Sequence, residues 1–169
     1  MAEAFTGRLL AERGLDGVTV SSASILDRPG QPATEATLAV LAERGLDVQA
    51  HRSRTLTRPI VAAADLVLTM ERAQLRVAAT LAPGAFAKTF TVKEFVRRGR
   101  ELGARGTDET TAAFLDRLGA GRQARQLLQA DPTDEVADPQ GGPWSAFAAT
   151  AAELDLLTRQ LVELLFGRA

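Results

Sequence analysis

The chain has 169 residues, enough for one domain with a sizeable core, and its hydrophobic content of 46% is ordinary for a globular protein. A formal net charge of −1 gives no sign of a surface for nucleic acid or an anionic membrane. The absence of cysteine excludes disulfides, thiolate metal sites and a cysteine nucleophile from these residues, and it fits a reducing, cytoplasmic setting. No apolar run approaches the ~20 residues that span a bilayer, and charged residues interrupt the start where a signal peptide would be apolar.

The first predicted element is a helix over residues 1–13. Phe5 and Leu9 are four residues apart, and Leu10 widens the same apolar face. Gly14 stands where a left-handed residue would end the helix. An α/β domain normally places such a helix after a buried strand, whereas this sequence opens directly on the helix.

Strands and helices alternate along the chain, which predicts a parallel α/β sheet. Strands are predicted at 18–22, 64–70 and 88–90, and the second has the consecutive apolar residues of a strand covered on both faces. The predicted helices that follow the first are 33–44, 57–63, 72–81, 92–100 and 144–166.

The segment from Gly99 to Ala130 is polar and helical in pattern. Thr107 is the expected N-cap of a helix over 108–118, and a second helix is expected over 120–129. No site chemistry is visible in this segment, and its arginines are expected to form a solvated face.

Five short stretches match, in order, the motifs of one known family. They are Met-Ala-Glu-Ala at 1–4, Val-Ser-Ser-Ala at 20–23, His-Arg-Ser-Arg at 51–54, Ala-Asp-Leu-Val-Leu-Thr-Met at 64–70 and Asp-Pro at 138–139. Together they resemble the low-molecular-weight protein tyrosine phosphatases, including their arsenate reductase relatives. The resemblance implies a three-layer α/β fold, in which helices cover both faces of a short parallel sheet. It also implies a single domain over residues 1–169, truncated at the N-terminus and without its first central strand.

In that family the loop C-x-x-x-x-x-R-S precedes the methionine that corresponds to Met1. By this resemblance the first strand, the phosphate loop, the nucleophilic cysteine and the phosphate-clamping arginine fall outside the sequence. The family's loop binds phosphate through backbone N–H groups and lowers the pKa of the cysteine, whose thiolate attacks phosphorus. The resemblance therefore implies phosphomonoester hydrolysis, as of phosphotyrosine, through a phosphocysteine for an intact relative, and no activity for these residues alone.

Three residues match further parts of the family site. Asp138 corresponds to the acid that protonates the leaving oxygen, although Asp-Pro pairs are also common turn starters. Ser22 corresponds to a serine beneath the phosphate loop, and its alternative is a strand-end serine bonded to local backbone. His51 corresponds to a histidine that supports the loop, and its alternative is a structural or surface histidine.

The substrate wall departs from the family pattern. Gln140 stands where an aromatic side chain commonly packs on the substrate ring. Trp144 is a replacement for that wall or a core residue. With 5% aromatic residues and no tyrosine, the sequence argues against a preference for phosphotyrosine.

No residues have the spacing of metal ligands, and no cofactor is indicated. The partners that the resemblance implies for an intact relative are a phosphorylated protein or a small phosphomonoester, and neither nucleic acid nor a membrane is expected. A second hypothesis is a pseudophosphatase that acts as a binding or regulatory module, as a homodimer in one version. Arsenate reduction ranks last because it needs further cysteines.

The fold is expected to be less stable without the first strand, which the resemblance places outside these residues. In the family this strand lies between the strands at 18–22 and 64–70. A strand of ~5 residues carries several apolar side chains worth about 1.5–3 kcal/mol each, against a domain stability of about 5–15 kcal/mol. We therefore expect one of three outcomes: residues 18–22 pair directly with 64–70, a second chain fills the gap, or the polypeptide folds poorly.

Overall fold

The computed structural model describes residues 1–125 and 131–168, and within it the chain divides into two compact units. The first unit comprises Met1–Thr55 with Ala137–Val162, and the second comprises Leu56–Val136 with Glu163–Ala169. The organisation into a single domain stays a prediction. None of the described helices is both long enough and apolar enough to cross a membrane.

The first unit is built on helices. They are α1 (Ala2–Glu12), α2 (Glu35–Ala42) and the greater part of α7 (Trp144–Phe166). The apolar stripe expected on α1 is confirmed, because Phe5, Leu9 and Leu10 are all buried. Gly14 follows the helix with a φ of +62°, the left-handed conformation that glycine adopts without a steric penalty.

The strand predicted at 18–22 is wrong, since these residues are described and contain no strand. Val18 instead donates its N–H to the carbonyl of Leu15 at 3.1 Å in a turn. β-branched residues favour extended backbone, but a strand also needs a neighbour that completes its ladder. The expected pairing of 18–22 with 64–70 is therefore also wrong. The other two outcomes, a second chain and a poorly folded polypeptide, stay predictions.

The second unit contains the parallel sheet. Its elements are α3 (Arg58–Ala63), β1 (Val67–Thr69), α4 (Arg72–Leu81), β2 (Thr89–Thr91), α5 (Val92–Leu102) and α6 (Thr111–Gly119). Strands β1 and β2 pair in parallel, with Leu68 opposite Phe90. The expected α/β fold with a short parallel sheet is confirmed, and both strands are three residues long.

Three aromatic rings hold β2, α5 and α6 together. Phe90 packs edge to face on Phe95 with ring centres 5.8 Å apart, and Phe95 does the same on Phe114 at 6.0 Å. All three side chains are fully buried. Such pairs add about 0.5–1.5 kcal/mol each to the free energy gained from burying their area, so they fix α6 against the sheet.

The start of α6 differs from its prediction. Thr110, not Thr107, is the N-cap, and its hydroxyl accepts the N–H of Ala113 at 3.2 Å. Glu109 belongs to the preceding turn, where its carboxylate accepts the N–H of Gly106 at 2.9 Å, and this delays the helix. The helix predicted at 120–129 extends into residues 126–130, which lie outside the described residues.

The expectation of a solvated arginine face in this segment is wrong for Arg122. The side chain of Arg122 is only 4% exposed, pairs with Glu94 at 2.8 Å and lies 3.9 Å from the centre of the Phe90 ring. Burial lowers the pKa of its guanidinium. Arg117 binds both carboxylate oxygens of Glu109, at 2.9 and 2.8 Å, and these hydrogen bonds lower the pKa of Glu109 to about 2. The two residues of each pair are farther apart in sequence than the three or four positions that separate ion pairs on one helix. The sequence pattern therefore did not predict these pairs.

The cap of α6 gives a direct test of this part of the fold. Thr110→Ala removes the acceptor for the Ala113 N–H, so we expect the free energy of unfolding to fall by about 1 kcal/mol in urea titrations. Thr107→Ala is the matched control, because Thr107 is exposed and lies outside the helix. A larger loss for Thr107→Ala than for Thr110→Ala would contradict the observed helix start.

Candidate functional site

Ser22 and His51 meet at a single carboxylate, that of Glu3. The hydroxyl of Ser22 donates to Oε2 of Glu3 at 2.5 Å, and Nδ1 of His51 lies 3.6 Å from the same oxygen. The side chains of Glu3 and His51 are each about one-third exposed, at 34% and 35%. Ser22 and His51, to which the resemblance assigns support of the phosphate loop, therefore lie close together in the first unit.

Glu3 is the residue of this cluster that sequence reasoning missed. It lies in the first turn of α1, where the partial positive charge of a helix N-terminus favours a carboxylate. A signal was present, because an acidic residue early in a predicted helix is typical of this effect. Its contacts with Ser22 and His51 were not predictable from spacing, since these residues lie 19 and 48 positions away in sequence.

A second set of contacts joins the motif at 20–23 to the motif at 51–54. Nε of Arg54 donates to the carbonyl of Ser22 at 2.7 Å, and the N–H of Ser24 donates to the carbonyl of Arg54 at 2.8 Å. Ser24 and Thr55 also form an isolated parallel bridge. With Glu3, these bonds gather three of the five family motifs at the first turn of α1.

Asp138 is exposed and forms a turn with the residues that follow it. Its Oδ1 accepts the N–H of Gln140 at 2.9 Å, and the carbonyl of Pro139 accepts the N–H of Gly142 at 2.9 Å. Gln140 is also exposed. Trp144 begins α7 and is 44% exposed, so it is not a core residue. The carboxylate of Asp138 is accessible to a ligand while its backbone is held by the turn.

The segment that leads to Asp138 is anchored inside the second unit. The carboxylate of Asp134 is 2% exposed and accepts hydrogen bonds from Nη2 of Arg72 at 2.9 Å and Nη2 of Arg97 at 3.2 Å. Val136 donates its N–H to the carbonyl of Met70 at 2.9 Å. These contacts fix the chain within the second unit as far as Val136. Sequence reasoning missed this anchor because its arginines lie 62 and 37 residues from Asp134.

The chemistry available to these residues is limited. They include a carboxylic acid group that can transfer a proton and a hydrogen-bonded cluster that can hold a neighbouring segment. The 169 residues contain no thiol that attacks phosphorus. In the part of the chain that the structure describes, no group of three or more His, Cys, Asp or Glu residues is placed to hold a metal ion.

Comparison with known proteins identifies the relatives of this arrangement. The model of the family "Low molecular weight phosphotyrosine protein phosphatase" matches residues 1–105. A probable low molecular weight protein-tyrosine-phosphatase, EpsP of Ralstonia nicotianae, is 35% identical over 85 residues, which are 50% of this chain and 59% of that protein. The match to this relative therefore spans less than two thirds of its length. The protein-arginine-phosphatase of Geobacillus stearothermophilus is 31% identical over 155 residues, covering 92% of this chain and 82% of the relative.

Solved structures agree with the sequence matches. The low molecular weight protein tyrosine phosphatase from T. tengcongensis superimposes with a TM-score of 0.71 at 28% identity, covering 97% of this chain and 88% of the other. The YwlE arginine phosphatase from Geobacillus stearothermophilus gives a TM-score of 0.66 at 26% identity, covering 96% and 83%. The matched family model and these similarities place the chain in the low molecular weight phosphotyrosine protein phosphatase family.

Proposed function

We propose that these 169 residues carry the supporting and proton-donating parts of a low molecular weight phosphatase, and that alone they do not hydrolyse phosphomonoesters. The observation that supports this most is the carboxylate of Glu3, which accepts the hydroxyl of Ser22 and lies 3.6 Å from Nδ1 of His51. The absence of cysteine supports the second half of the proposal, because the family reaction starts with a thiolate.

In the reaction of the phosphatase family, the thiolate and the acid each perform a defined step. A thiolate attacks phosphorus, the bond from phosphorus to the leaving group breaks, and an acid protonates that group. Water then attacks the phosphocysteine and releases phosphate, while the acid, now a base, accepts the proton of the water. In this chain Asp138 is the proposed acid, and the cluster of Glu3, Ser22 and His51 is the proposed support of a phosphate-binding loop.

The turn at Asp138 suits this role. Oδ1 accepts the N–H of Gln140, so Oδ2 is the oxygen that carries the proton. The exposed position gives a substrate access to that oxygen.

The proposed substrates are phosphorylated proteins, and a phosphorylated arginine side chain is favoured over phosphotyrosine. Gln140 stands where the family commonly has an aromatic residue that packs on the substrate ring. The relative that matches 92% of this chain is named a protein-arginine-phosphatase. The proposed compartment is the cytoplasm, because a chain without cysteine suits reducing conditions.

The alternative function is that of a pseudophosphatase, a binding or regulatory module that acts as a homodimer in one version. It rests on the same lack of a thiol combined with an intact support cluster. The two proposals differ in what happens when a thiol and a phosphate loop are supplied. A support for catalysis should then gain activity, whereas a dedicated binding module should not.

An engineered extension tests the proposal. A family strand and C-x-x-x-x-x-R-S loop are fused directly before Met1, and the products are assayed with p-nitrophenyl phosphate and a phosphoarginine peptide. We expect no turnover by the 169-residue chain and measurable turnover by the extended chain. The matched control carries Cys→Ser in the added loop and should be inactive. Turnover by the unextended chain would contradict the proposal, and a folded but inactive extended chain would favour the pseudophosphatase.

The acid role of Asp138 has its own test in the extended chain. Asp138→Asn keeps an oxygen that accepts the Gln140 N–H but cannot donate the proton, so we expect kcat to fall about 10²–10⁴-fold with little change in stability. Asp16→Asn, at an exposed aspartate outside the proposed site, is the control and should leave kcat within a few fold. Equal effects of the two changes on kcat would contradict the assignment.

A further inference from the structure

The side chain of Arg54 holds the main chain at Ser22. Nε of Arg54 donates to the carbonyl of Ser22 at 2.7 Å. Residues 19–23 form no strand, and none of their main-chain groups bonds to another main-chain group among the residues that the structure describes. A hydrogen bond from a charged donor is roughly twice as strong as a neutral one. The guanidinium therefore takes the place of a ladder bond that a strand would have supplied.

The main chain of Arg54 is itself fixed within the first unit. Its carbonyl accepts the N–H of Ser24 at 2.8 Å. The preceding residue, Ser53, donates its N–H to the carbonyl of Gln31 at 2.8 Å and accepts the N–H of Gly30 at 2.7 Å. The guanidinium thus projects from a main chain that neighbouring loop segments hold in place.

Ser22 transmits this support to α1. Its hydroxyl donates to Oε2 of Glu3 in the first turn of the helix, while its carbonyl accepts the bond from Arg54. Within the described part of the chain, the side chain of Arg54 makes no other hydrogen bond and pairs with no carboxylate. The contact with Ser22 is therefore the route by which Arg54 acts on the cluster.

We propose that Arg54 is a positioning residue of the phosphatase site, and this rests on the proposed function. The guanidinium fixes the carbonyl of Ser22, so that the hydroxyl of Ser22 meets Glu3 on the helix that follows the added phosphate loop in the extended chain. A displacement of about 1 Å in a catalytic site can lower the rate about 10²-fold. Loss of the Arg54 donor should therefore lower kcat, although Arg54 contacts no reacting atom.

Three substitutions in the extended chain separate the donor from the charge. Arg54→Met removes every donor, and we expect kcat to fall about 10²-fold with KM changed by less than about twofold. Arg54→Gln keeps a planar N–H donor on Cδ, the atom that carries Nε in arginine, and should recover at least about a tenth of the parent kcat. Arg54→Lys keeps the charge but places its donor farther out on a flexible stem, so it should recover less than Arg54→Gln.

Arg100→Met is the matched control. Arg100 is exposed on α5, and its side chain has no hydrogen bond or ion pair with the other described residues. The control should leave kcat and KM within about twofold of the parent values. If Arg54 instead bound an anionic part of the substrate through its charge, KM would rise and Arg54→Lys would restore it better than Arg54→Gln. That pattern, or a parent kcat in Arg54→Met, would overturn the proposal.

Amide chemical shifts of the 169-residue chain test the contact without catalysis. The shifts of Ser22 and Glu3 should change in Arg54→Met, change less in Arg54→Gln and stay at their parent values in Arg100→Met. Equal changes in the two Arg54 variants would overturn the proposal. An inactive extended parent would overturn the proposed function and this role together, whereas an active parent that Arg54→Met leaves unaffected would overturn this role alone.

Discussion

The arrangement of the first unit depends on one hydrogen-bonded carboxylate. Glu3 sits where a helix N-terminus stabilises negative charge, and it accepts the hydroxyl of Ser22 while lying 3.6 Å from His51. Because α1 is fixed by the burial of Phe5 and Leu9, the position of this carboxylate is set by the core. The loops that carry Ser22 and His51 contact this carboxylate, and they lie side by side although neither contains a strand.

The second unit supplies a different constraint. Parallel pairing of β1 with β2 and the edge-to-face contacts of Phe90 and Phe95 give it a rigid centre. A buried charge cluster then attaches the 3₁₀ helix Pro132–Asp134 to that centre, because the carboxylate of Asp134 is held by two arginines. Breaking a pair of this kind leaves an unpaired buried charge, so such anchors are costly to lose.

Sequence patterns predicted the features that depend on residues close together in the chain, such as the ends of helices. The bounds of α4 and α7 agree with the predicted 72–81 and 144–166, because each has an apolar stripe and clear ends. The prediction of a strand at 18–22 was wrong because β-branched residues indicate only a preference for extended backbone. A ladder of hydrogen bonds also depends on neighbours that are distant in sequence. For the site, Ser22, His51 and Asp138 came from family motifs. Glu3 and Asp134 were missed because their partners are separated from them by tens of residues.

A double-mutant cycle between Glu3 and Ser22 tests the central interaction most directly. The free energy of unfolding is measured for the parent chain, Glu3→Gln, Ser22→Ala and the double variant. If the 2.5 Å contact holds the loop at α1, the losses of stability in the two single variants should together exceed the loss in the double variant by about 1 kcal/mol. The reason is that each single variant already removes the same charged hydrogen bond. Strictly additive losses would contradict the account, because they would mean that the two side chains do not stabilise each other.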